Sequence, residues 1–236
     1  MIKGFLPLSF IEWRGRLSSV VFFGGCNFRC PFCHNRELVV GWEGLPDLSL
    51  RDILSYVKGQ KKWVEHIVVT GGEPTIQRDL VGVLRAFKGE GLSIKLETNG
   101  SRPEVLRAII EEGLVDHVAM DVKGPLRDYN RYCGTDVDRG KIEESISILE
   151  EKKVEFEFRM TVVPFLHKES DVYEVATFLK GRGPLILQNF RPKNTLDPAY
   201  LFIEPLSEER FAEMNRKIDA ICKRGSFDKA LQPPSP

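Results

Sequence analysis

The 236-residue chain carries 34 Lys and Arg against 34 Asp and Glu, with 42% hydrophobic and 29% charged residues. That length and composition suit one soluble globular domain with a full core. The even charge balance advertises neither a nucleic-acid nor a membrane partner. The amino terminus lacks the apolar run of a signal peptide, and no stretch approaches the roughly 20 apolar residues of a transmembrane helix, so a cytoplasmic location is expected.

A short apolar, β-branched run followed by a helical pattern recurs about six times. The expected strands are Ser19–Phe23, His66–Thr70, Ser93–Thr98, His117–Asp121, Val154–Val163 and Leu185–Gln188. Between them, Leu80, Val83, Leu84 and Phe87 follow the i, i+3, i+4, i+7 rule, as do Val172, Val175, Ala176 and Leu179. Ile142, Ile146 and Leu149 mark a further helical face. Ser49 to Asp52 reads as a capping box, and Pro103 suits a first helical turn. Ser170 is expected to precede a helix, and Gly113 to follow one over Val105–Glu112. Such alternation predicts an α/β fold with parallel strands and right-handed crossovers. Six units give an open, partial TIM-type barrel of approximately (β/α)6, since a closed eightfold barrel needs about 250 residues. A doubly wound sheet is the competing architecture. One domain is expected over residues 1–225, with a tail over 226–236 that is mobile or draped on the surface.

Three of the five cysteines fall within Gly24-Gly-Cys-Asn-Phe-Arg-Cys-Pro-Phe-Cys-His-Asn35, directly after the first strand. An odd total and such tight spacing are poor material for disulfides and read as metal ligands instead. Thiolates on one loop can wrap three corners of an iron–sulfur cubane, with the fourth iron left open. Glycines 24 and 25 let the loop leave the strand sharply, and Pro31 restricts its path. The competing reading is zinc held by Cys26, Cys30, Cys33 and His34. Adjacent Cys33 and His34 are awkward ligands for one tetrahedral ion, and no second C-x-x-C exists. Cys133 and Cys222 read as buried structural thiols.

Polar residues gather at the ends of the later strands, where parallel α/β folds place their sites. They are Thr70-Gly-Gly-Glu-Pro74, Glu97-Thr-Asn-Gly100, Met120-Asp-Val-Lys123, Arg159-Met-Thr-Val-Val-Pro164 and Leu187-Gln-Asn-Phe-Arg-Pro192. Singly, each reads equally as turn chemistry or a surface ion pair.

The cysteine motif resembles the C-x-x-x-C-x-aromatic-C signature of the radical S-adenosylmethionine (AdoMet) superfamily, with its companion motifs following in order from about Ile11 to Pro192. The resemblance implies a [4Fe–4S] cluster on Cys26, Cys30 and Cys33 whose open iron chelates AdoMet. Reductive cleavage would then yield a 5′-deoxyadenosyl radical that removes a hydrogen atom from substrate. It further implies that Phe32 lies beside the adenine and that Gly71, Gly72 and Glu73 meet the amino group. Asp121 and Lys123 would lie near the methionyl and ribose parts. His34, Thr98, Asn99, Arg159 and Gln188 complete the expected AdoMet site. Glu97, Thr98, Met120 and Asp121 would approximate a monovalent-cation site known in relatives, which often have Asp where this chain has Glu97.

The ETNG, DVK and RxxVVP elements resemble those of glycyl-radical activating enzymes. The Gln-x-Phe-x-Pro element and the opening Phe10-Ile-Glu-Trp-Arg-Gly-Arg resemble the branch that serves anaerobic ribonucleotide reductase. That resemblance implies an activase whose partner is a glycyl-radical enzyme, with an anaerobic (class III) ribonucleotide reductase first and a pyruvate formate-lyase-like enzyme next. Only 37 residues separate Cys33 from Gly71, too few for the ferredoxin-like insertion of some activases. Electrons are therefore expected from a separate flavodoxin or ferredoxin. The alternatives are a radical AdoMet enzyme acting on a small molecule, such as a 7-carboxy-7-deazaguanine synthase, and a metal-binding regulator without catalysis.

Overall fold

The computed structural model describes residues 1–151 and 153–230. Seven strands form a single sheet in sequence order: β1 (Ile2–Ser9), β2 (Ser18–Phe23), β3 (His66–Gly71), β4 (Ser93–Thr98), β5 (His117–Asp121), β6 (Glu155–Val162) and β7 (Leu185–Asn189). Strands β2 to β7 are parallel, and β1 and β7 are the two edges, so the sheet stays open. The helices are α1 (Arg36–Val39), α2 (Leu50–Gly59), α3 (Leu80–Gly89), α4 (Pro103–Glu111), α5 (Tyr129–Cys133), α6 (Arg139–Glu150), α7 (Glu169–Phe178) and α8 (Glu208–Ala230). The six parallel strands and their crossovers are the expected β/α units, within a residue or two at most strand ends.

β1 is the addition to the expected fold. It pairs antiparallel with β2, and its register slips between Ile2 and Gly4 and between Leu6 and Ser9. Gly4 and Pro7 break the alternation that would reveal a strand, and an edge is where proline is tolerated. Helix signals hold in part. Ser49 Oγ accepts from the Asp52 amide at 3.4 Å. Pro103 opens α4, and Gly113 (φ 68°) closes it as its amide and that of Leu114 return to Ile110 and Ile109. Ser170 lies inside the first turn of α7, whose cap is Lys168; the Asp171 carboxylate accepts the Lys168 amide at 2.9 Å. Helix α8 runs through the expected boundary at 225 to Ala230, and the rest of the expected tail, 231–236, lies outside the described residues.

Alternation along the strands divides the side chains between two faces. Val21, Phe23, Ile67, Val69, Ile94, Leu96, Val118, Met120, Phe158 and Met160 are buried in the main core with the helices. The opposite face lines a lumen. On β2 and β3 it is apolar, with Val20, Phe22 and Val68 gathered around Trp13. Trp13 lies against His66 and His117, the first residues of β3 and β5, at 5.3 and 5.9 Å between ring centres. The amino-terminal end of the lumen is thereby plugged, and its carboxyl end is left for a site.

Among the described residues no helix is long and apolar enough to cross a membrane.

Candidate active site

The loop from Gly24 to Asn35 crosses the carboxyl end of the sheet and is fixed mainly by backbone contacts. The Gly72 amide donates to Phe23 O at 2.9 Å, and the Glu73 amide to Gly25 O at 2.8 Å. Asn35 Nδ2 donates to Gly71 O at 2.8 Å. These contacts require glycine: a Cβ on Gly72 would fall 2.0 Å from Gly25 O, and one on Gly71 (φ 125°) 2.3 Å from Phe23 O. The Gly-Gly pair therefore seats the cysteine loop on β3.

Glu73 ties the same turn to the end of β4. Its carboxylate is 1% exposed and accepts from Thr75 N and Oγ1, from Thr98 Oγ1 at 2.7 Å and from Asn99 N at 2.6 Å. Burial raises its pKa, and the four donors work against that rise. Asn99 Nδ2 then donates to Asn27 Oδ1 at 3.0 Å and reaches Cys26 Sγ at 4.0 Å. Asn27, which the sequence reading passed over, donates onward to Ser101 Oγ at 2.8 Å.

On the lumen face β4, β5 and β6 carry a network of charges. Asp121 Oδ2 accepts from Lys123 Nζ at 2.9 Å, and Oδ1 accepts from Arg159 Nε at 3.0 Å. Burial pushes the Asp121 carboxyl up, but Lys123 and Arg159 outweigh it and hold it at about 2. Burial acts to lower Lys123, but Asp121 and Cys30 raise it, so the pair stays ionised. Deeper in the lumen Lys95 Nζ lies 3.3 Å from Glu157 and donates to the Glu12 carbonyl at 2.9 Å.

All fourteen residues expected in the site line one cavity of about 260 Å³: Cys26, Cys30, Phe32, Cys33, His34, Gly71, Gly72, Glu73, Thr98, Asn99, Asp121, Lys123, Arg159 and Gln188. Gln188 stands on the edge strand and accepts from Thr161 Oγ1 at 3.3 Å. Glu12, Asn35, Thr70, Glu97 and Thr161 line it too. Met120 does not: its side chain is fully buried with the main core, against Gly100.

The donor set fits an iron–sulfur cluster. Cys26, Cys30 and Cys33 are free thiols reaching one cavity. Among the described residues no three His, Cys, Asp or Glu side chains close on a single ion, as a zinc site would need, whereas a cubane takes one thiolate per iron. Burial, with Glu73 beside it, pushes the Cys26 thiol up to about 12, and burial also raises Cys33. Cys30 goes the other way. A hydrogen bond from Cys133 lowers it against burial, and Lys123 helps.

Cys133 is thus the structural thiol that was expected, fully buried, but it adjoins Cys30, one of the expected cluster ligands. Its carbonyl accepts the Arg29 amide at 2.8 Å, and the next residue, Gly134 (φ 63°), admits Arg29 O where a Cβ would sit 2.2 Å away. Only the short Tyr-Cys-Gly sequence hints at this contact. Cys133→Ser protein, reconstituted anaerobically, is expected to keep about four irons per chain; loss of iron on assay would make Cys133 a ligand.

His167 is a second residue missed in the sequence. Its Nδ1 accepts the Val163 amide at 3.0 Å, and Nε2 lies 2.8 Å from Lys123 O, so Nε2 carries the proton. The ring stacks on Tyr132 at 4.8 Å and meets Phe32 edge-on at 6.1 Å. Burial lowers its pKa, as it does those of His34 and His117. In the window below the ordinary imidazole value of about 6.5, the unfolded chain binds more protons than the native one. Stability present above that value is therefore lost as pH falls through it. The melting temperature should drop between about pH 7 and pH 5.5, and less steeply in His167→Gln; equal slopes would show that His167 does not titrate on unfolding.

Residues 20–179, more than half of the chain, match the model of the Radical SAM superfamily. The chain belongs to that superfamily. Membership implies a [4Fe–4S] cluster and AdoMet, which agrees with the thiols and cavity. A Methanocaldococcus jannaschii protein provisionally named a glycyl-radical enzyme activating enzyme is 30% identical over 92% of this radical SAM chain and 90% of its own length. A 7-carboxy-7-deazaguanine synthase from Thermococcus kodakarensis is 29% identical over 92% and 87%. Among solved structures, Streptococcus suis SuiB bound to S-adenosylmethionine superposes with a TM-score of 0.65 at 14% identity, covering 87% of this chain. Coproporphyrinogen III oxidase from Escherichia coli gives 0.63 at 14%, also over 87%. The chain spans about half the length of these two structures, 49% and 51%. They share its fold, the partial TIM barrel that six β/α units predicted.

Proposed function

We propose that this radical SAM enzyme is a glycyl-radical activase. The near full-length similarity to the M. jannaschii protein carries the reading. The form of the site supports it. The cavity opens at the carboxyl ends of the strands, and the segments after β6 and β7 present Phe165 and Phe202, each 87% exposed. An opening with apolar side chains on nearby segments suits a protein loop as substrate. The substrate atom is the α-hydrogen of one glycine in a glycyl-radical enzyme, an anaerobic ribonucleotide reductase first and a pyruvate formate-lyase-like enzyme next.

The bound cluster and AdoMet supply the 5′-deoxyadenosyl radical that removes that hydrogen. The chain's own residues hold and orient. Cys26, Cys30 and Cys33 would hold three irons of the cluster. The Gly71–Glu73 turn and Asn99 fix the loop that carries them, and Phe32 would lie beside the adenine, with His34 in the same lining. Asp121 and Lys123 would face the methionyl and ribose parts, and Arg159 and Gln188 line the same cavity. The two other cysteines stand apart, one beside Cys30 and one on α8, and residues 34–65 contain only α1, a short turn and α2. Electrons then come from an external flavodoxin or ferredoxin.

The T. kodakarensis relative favours a second reading, the synthesis of a deazapurine. Reduced holoprotein, incubated with AdoMet and candidate glycyl-radical enzymes, should give a glycyl radical signal in electron paramagnetic resonance. No signal with any candidate, together with formation of 7-carboxy-7-deazaguanine from small precursors, would replace the activase reading with the second one.

A further inference from the structure

The groups expected around a monovalent cation are already committed to protein partners. Met120 faces the helices, and Thr98 Oγ1 donates to Glu73 and accepts from the Gly100 amide at 3.2 Å. Glu97 Oε2 accepts from Thr70 Oγ1 at 2.9 Å, while its Oε1 accepts from Arg159 Nη1 and lies 3.7 Å from Lys95 Nζ. Asp121 takes Arg159 Nε on one oxygen and Lys123 Nζ on the other. All four carboxylate oxygens thus have donors, and the Arg159 guanidinium spans the two acids with its side chain only 11% exposed.

The strand register explains the span. Arg159 pairs with Asp121 across β5 and β6, and Glu97 pairs with Ala119. Alanine at 119 leaves the lumen clear between β4 and β6. Glutamate at 97, with one methylene more than an aspartate would have, can then reach the arginine. A free cation here would have to displace a planar, fixed positive group that already neutralises both acids. We infer that Arg159 is the built-in counterion of this site, and that AdoMet binding requires no added sodium or potassium.

The inference rests on the AdoMet-site reading and is independent of any partner enzyme. Its test is equilibrium dialysis of labelled AdoMet against the reconstituted holoprotein. The buffers contain potassium, sodium or choline chloride at one ionic strength, and iron content is checked throughout. The wild-type dissociation constant should agree within about twofold across the three salts, whereas a cation-dependent site would tighten by about tenfold or more with potassium or sodium. Such tightening would overturn the inference. Arg159→Gln should bind AdoMet more weakly in choline and recover with potassium. Weak binding that potassium leaves unchanged would remove the guanidinium from the cation's place. Should the variant not fold, the wild-type comparison decides alone. Absence of AdoMet binding in every salt would sink the site reading and this inference with it, but binding that demands potassium would sink only the inference.

Discussion

Anaerobically reconstituted Cys30→Ala protein is expected to be colourless and to form no 5′-deoxyadenosine from AdoMet under reduction. Cys26→Ala and Cys33→Ala should behave alike. In the proposed cluster each thiol would be the sole protein ligand to one iron, and the two other cysteines are not placed to substitute. Cys222 is on α8, and Cys133 is turned to Cys30 rather than to the cavity lining. Loss should be complete rather than partial, because a cubane held by two thiolates leaves two irons open to solvent and loss. Iron assay separates this from misfolding: circular dichroism should match wild type while bound iron falls from about four per chain to near none. Full turnover in any of the three variants would exclude the cluster assignment.

The second large effect is expected at Gly72, which contributes no side chain. A Cβ there falls 2.0 Å from Gly25 O and 2.6 Å from its carbonyl carbon, both backbone atoms that cannot swing aside. Gly72→Ala must part the Gly71–Glu73 turn from the cysteine loop and break the 2.8 Å bond from the Glu73 amide to Gly25 O. A displacement of about 1 Å in a positioned site costs on the order of 100-fold in rate. AdoMet cleavage should fall by about that factor, with iron content largely kept. Gly82→Ala is the control, since a Cβ at Gly82 on α3 meets nothing within 4 Å. Equal activity in the two variants would mean that the loop contact does not set the site.

Much of this site was legible because its residues fall where the chain must put them. Parallel strands end on one side of a sheet. Thr98, Asn99, Asp121, Lys123 and Gln188, read as strand ends, therefore converge with the cysteine loop without further information. The strand periods gave the six β/α units in the same way. Residues whose roles depend on contacts distant in sequence were harder to see. Glu73 reads as an acceptor for a ligand's ammonium group, and its carboxylate also takes four donors from Thr75, Thr98 and Asn99. No local pattern says that the end of β4 will arrive beside it. His167 ends an ordinary apolar run, Cys133 sits among polar residues of a short helix, and they meet Lys123 and Cys30 only through folding. β1 was lost to Gly4 and Pro7, and Trp13 reads as motif rather than as the plug beneath the lumen. The cation expected near Glu97 illustrates the same limit. One extra methylene and an alanine two residues before Asp121, Arg159's partner, exchange an ion for an arginine, and only register reveals it.

A glycyl-radical activase takes its hydrogen atom from a glycine of a protein partner. Isotope tracing tests it most directly. A candidate glycyl-radical enzyme carrying α-deuterated glycine is mixed with the reduced holoenzyme and unlabelled AdoMet, and the 5′-deoxyadenosine is analysed by mass spectrometry. One deuterium is expected in the product, appearing together with the glycyl radical. Undeuterated 5′-deoxyadenosine formed at full rate, with no protein radical, would contradict it.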